Sequence, residues 1–210
     1  MKKILSFLLT ALLLTPALHA QTAQQVLDRT ADRLKTSSGT QATFKVSSFA
    51  HGDETGSGSG TIYVKGEKFH IDSPQMKTWF DGETQWSYLD GSNEVNVSHP
   101  TQEEIQRMNP YTFVDLYKQG YSYKMTSTTL RGKSCFEITL TATNHRLGIK
   151  QVILDIDKST SLPLCVRMNQ GKGQWTRISV YDPTVGHKWK DDFFRFNSKD
   201  FPQAEIIDLR

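Results

Sequence analysis

The sequence predicts one mainly β domain: an antiparallel sheet of about ten strands, interrupted by a few helices. Three observations predict it. Apolar residues alternate with polar ones over most of 41–99 and again after 121. The period lengthens to a helical one only in 22–36 and 101–119. Asp-Gly and similar turn pairs separate the alternating runs, as hairpins require. With 210 residues, 37% hydrophobic and 22% charged, the chain is globular and long enough to bury a core. No linker or internal repeat divides it.

Met1-Lys2-Lys3 is followed by an apolar run, Ile4 to Leu14, and then by Thr15-Pro16-Ala17-Leu18-His19-Ala20. This order reads as a cleavable secretory signal over 1–20, cut after Ala20, with a single domain over 21–210. The run is too short to span a bilayer, and no cysteine follows it, so lipidation of the chain itself is not expected. The lysine-rich start points to a bacterial periplasm.

Thr22 and Gln25 form a capping box ahead of a helix over 22–36, whose inward stripe is Ala23, Val26, Leu27, Ala31 and Leu34. Ser37-Ser38-Gly39 is expected to stop it. Phe44 and Val46 mark the first strand. The segment His51 to Gly60, rich in glycine at Gly56, Gly58 and Gly60, reads as a loop. Ile62 with Val64, Phe69 with Ile71, Trp79-Phe80, Trp86 with Tyr88, and Val95 with Val97 mark further strands. Their turns fall at Lys65 to Lys68, Asp81-Gly82 and Asp90-Gly91. After Pro100, the box Thr101–Glu104 opens a short helix carrying Ile105 and Met108. Asn109-Pro110 opens a second, carrying Phe113, Leu116 and Tyr117, and Gly120 closes it. Strands then carry Phe136, Ile138 and Leu140; Val152, Leu154 and Ile156; Leu164, Val166 and Met168; and Ile178 with Val180. The chain ends in a Phe-rich segment and a short tail, Glu205 to Arg210.

Composition removes several functions. The formal net charge is +3, and without Lys2 and Lys3 it falls by two, so a nucleic-acid partner is not expected. Gly132-Lys133-Ser134 lacks the upstream glycine of a phosphate loop, since position 127 is Ser127. His51, His70, His99, His145 and His187 fall in no metal-ligand spacing, so neither metal nor cofactor is expected. A hydrolase would need a convergent nucleophile, base and oxyanion donors, and no spacing supplies them, so no enzyme is expected. Cys135 and Cys165 are the two cysteines. Export makes a disulfide the default. Both, however, lie on the polar parity of strands separated by a third strand, hence roughly 10 Å apart. That spacing argues for two free thiols.

Each strand is apolar on one face, and three helices cannot cover so many strands. The uncovered apolar face either closes on itself or lines a cavity. The aromatic residues Trp79, Phe80, Trp86, Tyr88, Phe113 and Tyr117 cluster around the middle of the chain and are expected to border it.

The run Gly58-Ser-Gly-Thr-Ile-Tyr-Val-Lys-Gly-Glu-Lys-Phe-His-Ile71 resembles a strand pair of the outer-membrane lipoprotein carrier family, LolA. So do the hairpin Trp79-Phe-Asp-Gly-Glu-Thr-Gln-Trp-Ser-Tyr88, the later Asn93-Glu-Val-Asn-Val and Asn109-Pro110, and the ending Phe194-Arg-Phe196, Pro202 and Glu205 to Arg210. Gly66 departs from the proline that many members have there. The resemblance implies a curved, incompletely closed antiparallel β-barrel, a half-barrel, with a helical lid. It implies a monomeric periplasmic carrier of acylated lipoproteins, loaded by an inner-membrane lipoprotein export complex and unloaded at an outer-membrane acceptor. A related protein for another lipid or glycolipid is the alternative. The lid candidates are Val26, Leu27 and Leu34, then Ile105, Met108, Phe113, Leu116 and Tyr117. The cavity candidates are Phe44, Val46, Ile62, Val64, Phe69, Ile71, Trp79, Trp86, Tyr88, Phe136, Ile138, Leu140, Val152, Leu154 and Val166. The helices are expected to plug the empty cavity until a guest displaces them.

Overall fold

A computed structural model of the chain describes residues 21–35, 39–101, 104–105, 117–118 and 120–210. The expected signal segment 1–20 lies outside the described residues, as do Met108, Phe113 and Leu116.

Twelve strands form one sheet. In chain order they are β1 (Gly39–Ala50), β2 (Asp53–Lys65), β3 (Lys68–Asp72), β4 (Met76–Phe80), β5 (Gln85–Leu89) and β6 (Glu94–Ser98). Then come β7 (Tyr121–Leu130), β8 (Lys133–Ala142), β9 (Gln151–Asp157), β10 (Pro163–Gly171), β11 (Gln174–His187) and β12 (Glu205–Asp208). Their order across the sheet is β12-β6-β5-β4-β3-β2-β1-β11-β10-β9-β8-β7. Two meanders are thus joined along a long antiparallel seam between β1 and β11. The outermost strands do not pair with each other, so the sheet stays open, as the resemblance implied. The two edges of the sheet are β12 and β7; β12 forms within the segment expected as a tail. Edge strands bury little: β7 is exposed or half-buried at every position, and only Tyr121 and Met125 of it pack against the core.

The helix α1 (Ala23–Lys35) is capped as its sequence dictates: the Thr22 amide donates to Gln25 Oε1 at 2.9 Å and the Gln25 amide to Thr22 Oγ1 at 3.2 Å. The box at Thr101 and Glu104 forms likewise, with the Thr101 amide 2.7 Å from Glu104 Oε2. Two expectations fail. The residues expected as a glycine loop are strand, because β1 offers partners along its whole length and Gly56, Gly58 and Gly60 pair with Ser48, Val46 and Phe44. Gly39 does not stop the helix by a left-handed turn. It opens β1, and a Cβ there would stand 2.2 Å from a ring carbon of Trp189, so only glycine fits. The Arg131-Gly132 turn does use positive φ at both residues, +49° and +77°, the two-residue hairpin geometry that matches strand twist.

Both faces of the sheet are covered at β3 and β4. One face meets α1 and forms the main core. The other meets a C-terminal strap, residues 187–204, which includes a 3-10 turn at Asp191–Phe194 and ends by delivering β12 parallel to β6. The strap is pinned by Asp191, which binds Lys65 at 3.0 Å and Lys68 at 2.8 Å; these lysines hold its carboxyl down to about 2. On the other flank, β9 does lie between β8 and β10, and Cys135 and Cys165 are both free thiols. Between them sits an ion cluster in which Arg167 Nη2 donates to Glu137 at 2.8 Å and to Asp155 at 3.0 Å, with Asp155 only 4% exposed.

Candidate functional site

The α1 face of the sheet is where most of the expected site residues meet. Val26, Leu27 and Leu34 project from α1 into one cluster with Ile62, Val64, Phe69, Ile71, Ile138, Leu140, Val152, Leu154 and Val166. Phe44, Val46 and Phe136 pack against that cluster half-buried. Ile105 and Tyr117, the described residues of the expected second lid, join it. The Tyr117 hydroxyl donates a hydrogen bond to Asp28 of α1. Tyr123 of β7 donates to Gln24 of the same helix at 3.3 Å.

Beside this packed region the same face carries a cleft of about 230 Å³. It is lined by Phe44, Val46, Gly58, Ser59, Ile62, Ile71, Ser73, Gln75, Met76, Thr78 and Ile178. Four of these, Phe44, Val46, Ile62 and Ile71, were expected from the sequence. The others were not, yet the signal was present. Gly56, Gly58 and Gly60 share parity with Ile62 and Val64, so β2 presents a bare backbone to this face where its neighbours present Phe44 and Val46. A Cβ at Gly58 would touch only Val46, at 3.6 Å, so side-chain volume is missing from the sheet here. The space falls below the ~300–1,000 Å³ of a typical small-molecule pocket. A long aliphatic guest therefore needs room now filled by neighbouring side chains.

Trp79, Trp86 and Tyr88 do not line this cleft, contrary to expectation. They share a face with one another, since Trp79 sits opposite Trp86 on the neighbouring strand, but it is the opposite face from α1. There they pack with Val95 and Val97 under the strap, Trp79 meeting Phe196 and Phe201 with ring centroids 5.6 Å apart. The strap, and not a helix, covers these three residues. Between strap and sheet runs an open groove of about 870 Å³, bordered by His70, Trp79, Lys190, Phe193, Arg195 and Phe201.

His70 is boxed by aromatic rings: it stacks on Phe193 at 5.3 Å and meets Trp79 at 4.9 Å and Tyr63 at 5.4 Å edge-on. Neither ring nitrogen has a well-formed hydrogen bond among the described residues. Burial lowers its pKa below the ordinary value, while the Phe193 carbonyl and Asp72 pull upward more weakly and Lys77 pushes down. The folded protein therefore resists a proton that the unfolded chain accepts. Stability is expected to be full above the unfolded value of about 6.5 and to fall as pH drops below it. Urea melts from about pH 7.5 down to about pH 5 should show this slope in the wild type and a smaller one in His70→Phe. Equal slopes would refute the assignment.

The sequence model of a family described as outer membrane lipoprotein carrier protein LolA matches residues 13–172. No curated protein matches the chain. Among solved structures, an uncharacterised conserved protein from Thermus thermophilus superposes with a TM-score of 0.61 at 16% identity, covering 90% of this chain and 99% of that one. A LolA superfamily protein from Nitrosomonas europaea gives 0.43 at 11% identity, covering 83% of this chain and 98% of that one. MucB of Pseudomonas aeruginosa, solved with MucA, gives 0.45 at 16% identity, covering 84% of this chain and 61% of that one. At such identities the first of these likenesses is one of fold. Among the described residues no helix is long and apolar enough to cross a membrane.

Proposed function

The chain belongs to the outer membrane lipoprotein carrier protein LolA family, and from that membership we propose that it is a periplasmic carrier holding the acyl chains of lipoproteins against the α1 face of its sheet. It is exported by its signal segment, takes its cargo from an inner-membrane export complex and gives it up at the outer membrane. The observation that supports this reading is the shortfall of cover on one apolar face. α1 fills part of it with Leu27, Val26, Ala31 and Leu34, each under a tenth exposed, and leaves the cleft of Phe44, Val46, Ile62, Ile71 and Ile178 beside it.

Magnitudes decide how such a site works. Each buried methylene gains about 0.8 kcal/mol, so an aliphatic tail of about sixteen carbons would gain on the order of 10 kcal/mol if fully buried. Several such tails would approach the ceiling of non-covalent affinity, about 18–21 kcal/mol, and would not leave unaided. A carrier without a nucleotide needs an opposing cost. Displacing α1 supplies it, because the stripe of Leu27 and Leu34 must leave the sheet as the guest enters. The bonds from Tyr117 to Asp28 and from Tyr123 to Gln24 add to the packing that holds α1 on the sheet.

The test is to fill the cleft. Gly58 has ordinary strand backbone and faces the space, so Gly58→Phe puts a ring where a tail would lie without straining β2. Binding of a fluorescent palmitoylated peptide is expected to weaken at least tenfold while the melting temperature is kept. Unchanged binding by Gly58→Phe would refute the placement. In cells, depletion of the protein is expected to leave lipoproteins at the inner membrane. The cleft's small volume also favours a second reading, a carrier of single-chain lipids or glycolipids. Denaturing mass spectrometry of what co-purifies separates the two.

A further inference from the structure

Building on the carrier reading, we infer that the cleft selects a ligand bearing an acyl carbonyl, whose oxygen accepts a hydrogen bond from the Thr78 hydroxyl. Thr78 lies on β4 between Ile71 and Ser87 of the adjacent strands and lines the cleft. It is 1% exposed, and its Oγ1 has no hydrogen-bond partner among the described residues. Buried hydroxyls in folded proteins are almost always satisfied, so one without a partner in the wall of a cleft is a place where an incoming acceptor would gain a hydrogen bond. The apolar part of the wall, Ile62, Ile71, Met76 and Ile178, keeps the hydroxyl away from bulk solvent.

The chemistry of the partner follows from the same wall. A hydrocarbon tail alone would seal Thr78 in without satisfying it. A tail joined to its head through an ester or amide brings one strong acceptor to the point where apolar becomes polar. Ser59, Ser73 and Gln75, the polar residues lining the same cleft, suit that junction and not a methyl end. Glycine at positions 56 and 58 leaves the tail space alongside. Thr78 is thus a specificity residue for acyl chains over alkyl chains.

The probes are palmitoyl lysophosphatidylcholine and its hexadecyl ether analogue, which differ only in the carbonyl oxygen. Titration calorimetry below their micelle concentrations reads the affinity. The wild type is expected to bind the palmitoyl form about five- to tenfold more tightly, the worth of one hydrogen bond. Thr78→Val should bind both with the weaker affinity of the ether, and Thr78→Ser should restore the preference. Thr78→Val is isosteric and removes an unsatisfied group, so its melting temperature should equal or exceed the wild type's. Equal binding of the two probes by the wild type, or a preference that persists in Thr78→Val, would overturn this inference and leave the carrier reading standing. Failure of both probes to bind would overturn the carrier reading and this inference with it.

Discussion

Arg167→Met is expected to destabilise the protein by about 3 kcal/mol, because it strands a carboxylate that is almost fully buried. Arg167 is the cation that Asp155 and Glu137 share, and Asp155 sits 4% exposed between the strands that carry the two cysteines. Burial already raises the Asp155 pKa, and Glu137 adds to this; Arg167 opposes them without cancelling the shift. The sign of the pH dependence follows. A carboxyl whose folded pKa lies above its unfolded value takes up a proton on folding, so its contribution is fullest at low pH and is lost as pH rises through the folded value. Removing Arg167 raises that pKa further. Thermal melts should therefore show a larger deficit for Arg167→Met at about pH 8 than at about pH 5. Replacing all three members, Glu137→Gln, Asp155→Asn and Arg167→Met together, should recover much of the loss, since a desolvated ion cluster adds little net stability over a neutral one. A single variant within about 0.5 kcal/mol of wild type at both pH values would refute the account.

Phe194→Ala is expected to cost about 3–5 kcal/mol, or about 6–20 °C in melting temperature for a domain of this size. Phe194 is fully buried where the strap folds back on the sheet, with its ring against Phe193 at 5.3 Å and Trp189 at 6.1 Å. Trp189 in turn fills the space over Gly39, at the start of the central strand β1. Loss of this anchor frees the strap on the face away from α1. Trp79, 6% exposed in the native fold, should then meet water, and its emission should shift to the red. The amides of β12, which pair with β6 only while the strap holds, should lose their protection from hydrogen exchange. Native emission with an unchanged melting point would refute the anchor role.

The contrast between these two faces shows how far the sequence could be read. Period-two alternation told which residues share a face: Trp79, Trp86 and Tyr88 do, and so do Phe69, Ile71 and the other α1-side residues. Alternation carries no information about which face meets which cover. At the end of β4 both faces are buried, so Phe80 and Trp79 are adjacent, both apolar and both inside, yet belong to different cores. The strap that covers Trp79 comes from far later in the chain, beyond the whole of the second meander.

Local periodicity and local backbone chemistry dictate the sheet, most of its hairpin turns, the capped helix α1 and the strand order that keeps Cys135 and Cys165 apart. The chain's own signature pointed to the family. Packing in three dimensions settles that residues 205–208 are a strand, since their order comes from the ladder with β6 and not from burial of their own side chains. It also decided that alternate glycines in β2 open a cleft and that Thr78 stands in its wall without a partner among the described residues. Those properties depend on what lies across from a residue in space, and a lone chain does not record that.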